Sequence, residues 1–160
     1  MLNKIIVLIL LTTCLVACNT QQAFKYSEAF VAKEKSILPY IEMSEKNIER
    51  LITAEQFDSV TLVAQQMENR VALLIDSIKI APAPDATDGE KFKVDVIKYF
   101  EYIKSVYTIY KNYGSAGNDE LRNVQVDKLT ALVNRRDEIT TTIQKAQRSF
   151  AKANGFTIEK

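Results

Sequence analysis

Phe57, Val60, Ala64, Met67, Val71, Leu74 and Ile78 are apolar residues at successive alternating steps of three and four. Strand alternation cannot hold that spacing over so long a run, whereas a helix buried along one seam requires it. Phe92, Val96, Tyr99, Ile103, Val106, Tyr110 and Tyr113 repeat the pattern further along. These two stripes confine the chain to folds in which long amphipathic helices bury a seam against one another.

The flanking segments carry rougher versions of the same signal. Phe24, Val31, Leu38, Ile41, Ile48 and Ile52 form a stripe that Phe30, Ile37 and Leu51 widen. Pro39 sits inside it and removes one backbone hydrogen bond, so a kink is expected there, with a break as the alternative. The last segment carries Leu121, Val124, Leu129, Leu132, Val133, Ile139, Ile143, Ala146 and Phe150. Its stripe is interrupted at Arg135-Arg136, where long stems are expected to cover apolar surface while their charged heads reach water.

Helix ends are marked where chain chemistry predicts. Thr53-Ala54-Glu55-Gln56 reads as a capping box that opens the second helix. The Pro82–Gly89 stretch reads as a loop, with Thr87 or Asp88 capping the third helix. Gly114-Ser115-Ala116-Gly117-Asn118 ends that helix and caps the next, and Gly155 closes the last. Four Gly, three Pro and no Trp fit long elements with few turns. The expected fold is all-α, an up-down-up-down four-helix bundle over residues 24–154 with a C-terminal tail at 155–160.

The amino terminus adds an address. Lys4 precedes the apolar run Ile5–Ala17, which ends in Leu15-Val16-Ala17-Cys18. As a helix the run rises about 20 Å, short of the roughly 30 Å hydrocarbon core, so a cleaved signal is expected rather than a membrane span. Small and branched residues directly before a cysteine resemble the lipobox of bacterial lipoproteins. That resemblance implies removal of residues 1–17 and acylation of Cys18, with palmitate-class chains holding the mature protein to a membrane. Residues 18–23 are then the lipidated cysteine and a short tether. Two or three acyl chains anchor a domain stably where one does not.

Charge and composition exclude several function classes. The full chain has 21 Lys and Arg against 20 Asp and Glu, and losing Lys4 with the signal leaves them balanced. No strong field draws such a protein to nucleic acid. Cys14 leaves with the signal and Cys18 is taken by lipid, so no disulfide is expected. With no histidine, the Glu-x-x-His di-iron site of many bundles, the usual zinc sites and Ser-His or Cys-His nucleophiles are all unavailable. There is no phosphate-binding glycine loop and no calcium loop of EF-hand spacing. The expectation is a non-enzymatic protein without cofactor or metal.

Two places offer candidate binding residues. Tyr99, Phe100, Tyr102, Tyr107, Tyr110 and Tyr113 crowd the third helix. Tyr102 and Tyr107 fall off its main stripe, so they are candidates for a surface that holds glycan, lipid or protein, although core packing explains most such clusters. Arg135 and Arg136, beside Asp137 and Glu138, are either a solvated face or a contact for an anion or acidic partner. Lys145, Arg148 and Lys152 suit a helix end and would reach phosphate headgroups if that end lay at the membrane.

The lipobox, Tyr26-Ser27-Glu28, the Pro82-Ala83-Pro84 loop running to Asp88-Gly89, and the closing Phe150–Phe156 together resemble a family of small helical surface lipoproteins. That family is named from a leptospiral member and is widespread in the Bacteroidota. The resemblance implies an envelope address and a bundle fold, with no activity and no functional residue to carry over beyond Cys18. Asn19-Thr20-Gln21-Gln22 lacks the acidic run that follows the cysteine in some surface-exported lipoproteins, and position 19 is not Asp. The expected location is the outer membrane, periplasmic face, with the lipid as membrane contact and an envelope protein as possible partner. The alternative role is a lipoprotein that holds a lipid, glycan or small hydrophobe between its helices.

Overall fold

The computed structural model describes the backbone of residues 2–158 and the side chains of residues 19–158. Beyond the backbone, the expected signal segment and Cys18 therefore lie outside the described residues. The elements are α1 (Leu2–Thr53), α2 (Phe57–Ile80), α3 (Gly89–Gly114), α4 (Asp119–Val133) and α5 (Arg136–Ala153), with no strand among the described residues. Four helical rods pack together, the last of them made of α4 and α5 in succession.

The seam of α2 follows its sequence stripe closely. Val60, Ala64, Met67, Val71 and Ile78 are buried, and Leu74 packs against them. α3 is the central rod, packing on α2, α4 and α5, and its burial is broader than one stripe. Phe92 and Val96 are buried as expected, but the other fully covered side chains are Phe100 and Tyr107, which lie beside the counted stripe. On α1 the widening residues Phe30, Ile37 and Leu51 are more buried than Phe24, Val31 or Leu38.

An aromatic cluster ties one end of the bundle together. Phe92 stacks on Phe150 at 4.7 Å between ring centroids, and Phe30 meets Phe92, Tyr99 and Phe100 edge-on. Phe156 sits edge-on to both Phe24 and Phe150, so the start of the expected tail folds back onto the core. Gly155, at φ 72°, makes that reversal in a backbone region where side chains other than glycine are strained. Asn154 adds two hydrogen bonds to the backbone of Thr87, closing α5 onto the loop before α3.

Several expected boundaries differ. α1 passes through Pro39 without a break. Asn19–Ala23, expected as a tether, are helical, and Ala23 is buried. Thr53 does not open α2: its hydroxyl donates to the Glu49 carbonyl and ends α1, the chain reverses at Glu55 with φ 53°, and Gln56 makes no side-chain cap. Asp88 precedes α3 in a left-handed conformation, also without a side-chain cap. Asn118 does cap α4, accepting from the Leu121 N–H at 2.9 Å. The interruption at Arg135 is a true helix break, because Asn134 and Arg135 turn the chain between α4 and α5.

Candidate functional site

The residues singled out on α3 and at the α4–α5 junction separate in space and environment. Tyr107 is 1% exposed, which removes it from any surface. Its position beside the apolar stripe faces another rod instead of water because α3 is packed on more than one side. Burial raises its pKa, with Glu45 and Tyr110 adding to the effect. Tyr102 is half-buried; burial raises its pKa, the nearby Arg136 opposes this, and Asp137 reinforces it. Tyr99 donates to Glu34 Oε1 at 2.6 Å, pinning α3 to α1, and burial together with that bond pushes its hydroxyl well above the ordinary range.

Arg135 and Arg136 are exposed at the helix break, and Arg135 pairs with Glu138 at 3.6 Å. An exposed pair of this kind contributes little. Tyr102 and Arg136 are thus brought together, while Tyr107 is withdrawn into the core. Among residues 19–158 no cluster of three or more potential metal ligands is present, and no helical stretch is long and apolar enough to cross a membrane.

A groove that the sequence reading missed lies along the α1–α2 seam. Ser36, Ile37 and Tyr40 of α1 line it with Gln66, Asn69, Arg70, Leu73 and Leu74 of α2, around a volume of about 600 Å³. Volumes of 300–1,000 Å³ are typical of small-molecule sites. The Arg70 guanidinium carbon lies over the Tyr40 ring, 3.7 Å from its centroid. One turn beyond the lining residues Ile37 and Leu74, Lys33 Nζ donates to Ser77 Oγ at 2.9 Å. Neither cation pairs with a carboxylate among the described residues.

The sequence did carry a signal for this groove, in charge rather than hydropathy. Ala29, Lys33, Ser36, Tyr40, Met43 and Asn47 alternate by four and three residues and share one face of α1. Ser59, Val63, Gln66, Arg70, Leu73 and Ser77 do the same on α2. Neither stripe contains an Asp or Glu, although α1 carries Glu28, Glu34, Glu42, Glu45 and Glu49 elsewhere on its surface.

No protein-family model, curated protein or solved structure matches this chain.

Proposed function

We propose that the chain is a lipid-anchored, non-enzymatic module of the bacterial cell envelope, working by contact with other envelope components. The observation that carries this reading is Leu15-Val16-Ala17-Cys18, placed directly before a helical bundle. Acylation of Cys18 after removal of residues 1–17 anchors the module. The helical Asn19–Ala23 segment rises about 8 Å, which keeps the bundle against its membrane. An up-down-up-down course is supported by Phe57 meeting Tyr113 at one end and Phe24, Phe150 and Phe156 meeting at the other. The resemblance to the helical surface lipoproteins fits this address, and the neutral residues after Cys18 favour the periplasmic face of the outer membrane.

The test is metabolic labelling with an alkyne fatty acid in cells making the full chain or Cys18→Ser. Label on the first and none on the second, with the variant shifting out of the membrane fraction, is the expected result. An unlabelled, soluble wild type would overturn the reading. Ligand binding is a second reading, favoured by the α1–α2 groove rather than by the tyrosines of α3.

A further inference from the structure

We infer that the α1–α2 groove is a binding site for an elongated organic dianion with an apolar middle, of the α,ω-dicarboxylate class. This deepens the ligand-binding reading and does not depend on lipidation of Cys18. The cationic ends come from two helices. Arg70 is held over Tyr40, so the planar fork is fixed before any ligand arrives, while its hydrogen-bonding edges have no carboxylate partner. Preordering of this kind lowers the entropy lost when an anion docks. Lys33, tied to Ser77, sets a second positive charge one helical turn beyond the lining residues Ile37 and Leu74.

The separation of the two charges follows from helix geometry. Lys33 and Tyr40 are seven residues apart on α1, as are Arg70 and Ser77 on α2, and each interval spans about 10 Å. Between them the floor is the buried Ile37 with Leu74, and the wall is Leu73, which is 72% exposed. Leu73 is among the most exposed large apolar side chains described, and a ligand methylene chain laid along it would remove that surface from water. Ser36, Gln66 and Asn69 give the groove a neutral polar rim. The stripes through Lys33 and through Arg70 carry no acidic residue, and the nearest α2 carboxylate along the lining is the exposed Asp76, one turn beyond Leu73 at the Lys33 end.

The experiment is calorimetric titration of the full chain, in a neutral detergent, with adipate, sebacate and tetradecanedioate. Sebacate, whose reach matches the span, is expected to bind best, more tightly than the single-headed decanoate, and to weaken as salt is raised. Arg70→Gln should weaken sebacate about tenfold, with Arg70→Lys intermediate because the charge stays and the fork is lost. Lys33→Gln should abolish the preference for sebacate over decanoate. Both positions are at the surface seam, and circular dichroism confirms that each variant remains helical. Binding that ignores chain length, or that survives Arg70→Gln unchanged, would overturn the proposal. Equal binding of 1,10-diaminodecane would overturn the dianion and leave a groove for other ligands. Absence of binding by every probe would remove both.

Discussion

Glu68 of α2 and Lys111 of α3 meet at 2.5 Å within the most extensive helix–helix seam of the bundle. Glu68 is buried, and its other carboxylate oxygen accepts from Thr108 at 2.6 Å, while Gln65 donates at 3.2 Å from its own helix. A carboxylate in a helix seam is tolerated because every oxygen has a donor. Burial alone raises its pKa, but the hydrogen bonds from Lys111 and Thr108 and the charges of Lys111 and Lys104 outweigh it. They hold the carboxyl below its ordinary range.

A depressed acid pKa stabilises the fold above the unfolded-state pKa, and that contribution is lost as pH falls through the folded-state value. Glu68→Gln should therefore cost about 1–3 kcal/mol near neutrality, through a weakened bond and an uncompensated Lys111. The deficit should hold from about pH 7 down to the ordinary glutamate value of 4.5 and shrink below it, toward about pH 3, because the wild type then protonates and loses its advantage. Thermal unfolding across that range reads both effects. A deficit that stays constant with pH would show that the charge on Glu68 is not what the seam uses.

Gly114 closes α3 against the first turns of α2. A Cβ added there would lie 2.4 Å from Thr61 Oγ1, 2.6 Å from the Phe57 carbonyl and 2.7 Å from the Thr61 amide. Two of those three neighbours are backbone and cannot rotate aside. Gly114→Ala should thus destabilise by about 1–3 kcal/mol in spite of alanine's better helix propensity. Gly117→Ala, with open space around its Cβ position, is the control and should leave chemical denaturation unchanged.

How legible the fold was depended on how many faces each helix buries. On α2 a count of threes and fours found the buried Val60, Ala64, Met67, Val71 and Ile78 but passed over Glu68 and Ile75 beside them. α3 is wrapped on several sides, so the same count selected Tyr99 and Tyr110, which are only partly covered, and passed over Phe100 and Tyr107. Thr53-Ala54-Glu55-Gln56 had the letters of a capping box, but the left-handed turn at Glu55 is set by how α1 and α2 pack, which no local window contains. The groove was hidden for a related reason. Lys33 and Arg70 are remote in sequence, and their kinship appears only when the acid-free stripes of two helices are laid side by side.

α4 has no buried residue and packs extensively on α3 alone. Its half-buried residues are Arg122, Gln125, Leu129 and Leu132, and Arg122 carries its contact with α2. That guanidinium lies 3.7 Å above the Phe57 ring at the start of α2, donates to the Ala116 carbonyl at 2.9 Å and to Asp119 at 2.7 Å. A helix with so little buried surface belongs to the low-stability end of local unfolding. Arg122→Ala removes a contact worth about 0.5–1 kcal/mol as a cation–π pair, together with the hydrogen bonds. Native-state hydrogen exchange should show faster opening of α4 amides with α2 and α3 protection unchanged. Uniform loss of protection through all helices would show that α4 is coupled to the whole core.

Tyr107 carries a cost that substitution can relieve. Its hydroxyl is buried and has no hydrogen-bond partner among the described residues, although its ring fills the centre of α3's packing. An unpaired buried hydroxyl forfeits its solvation without return, whereas the ring contributes as an apolar body. Tyr107→Phe keeps the ring and deletes only the hydroxyl. It should leave stability unchanged or raise it by up to about 1 kcal/mol, while Tyr107→Ala should lose about 3–5 kcal/mol to the cavity. The nearby Glu45 supplies a second reading of the same variant, since Glu45 raises the Tyr107 pKa without bonding to it. A clear loss of stability in Tyr107→Phe would show that the hydroxyl has a partner in solution, and a double variant with Glu45→Gln would then reveal whether Glu45 is that partner.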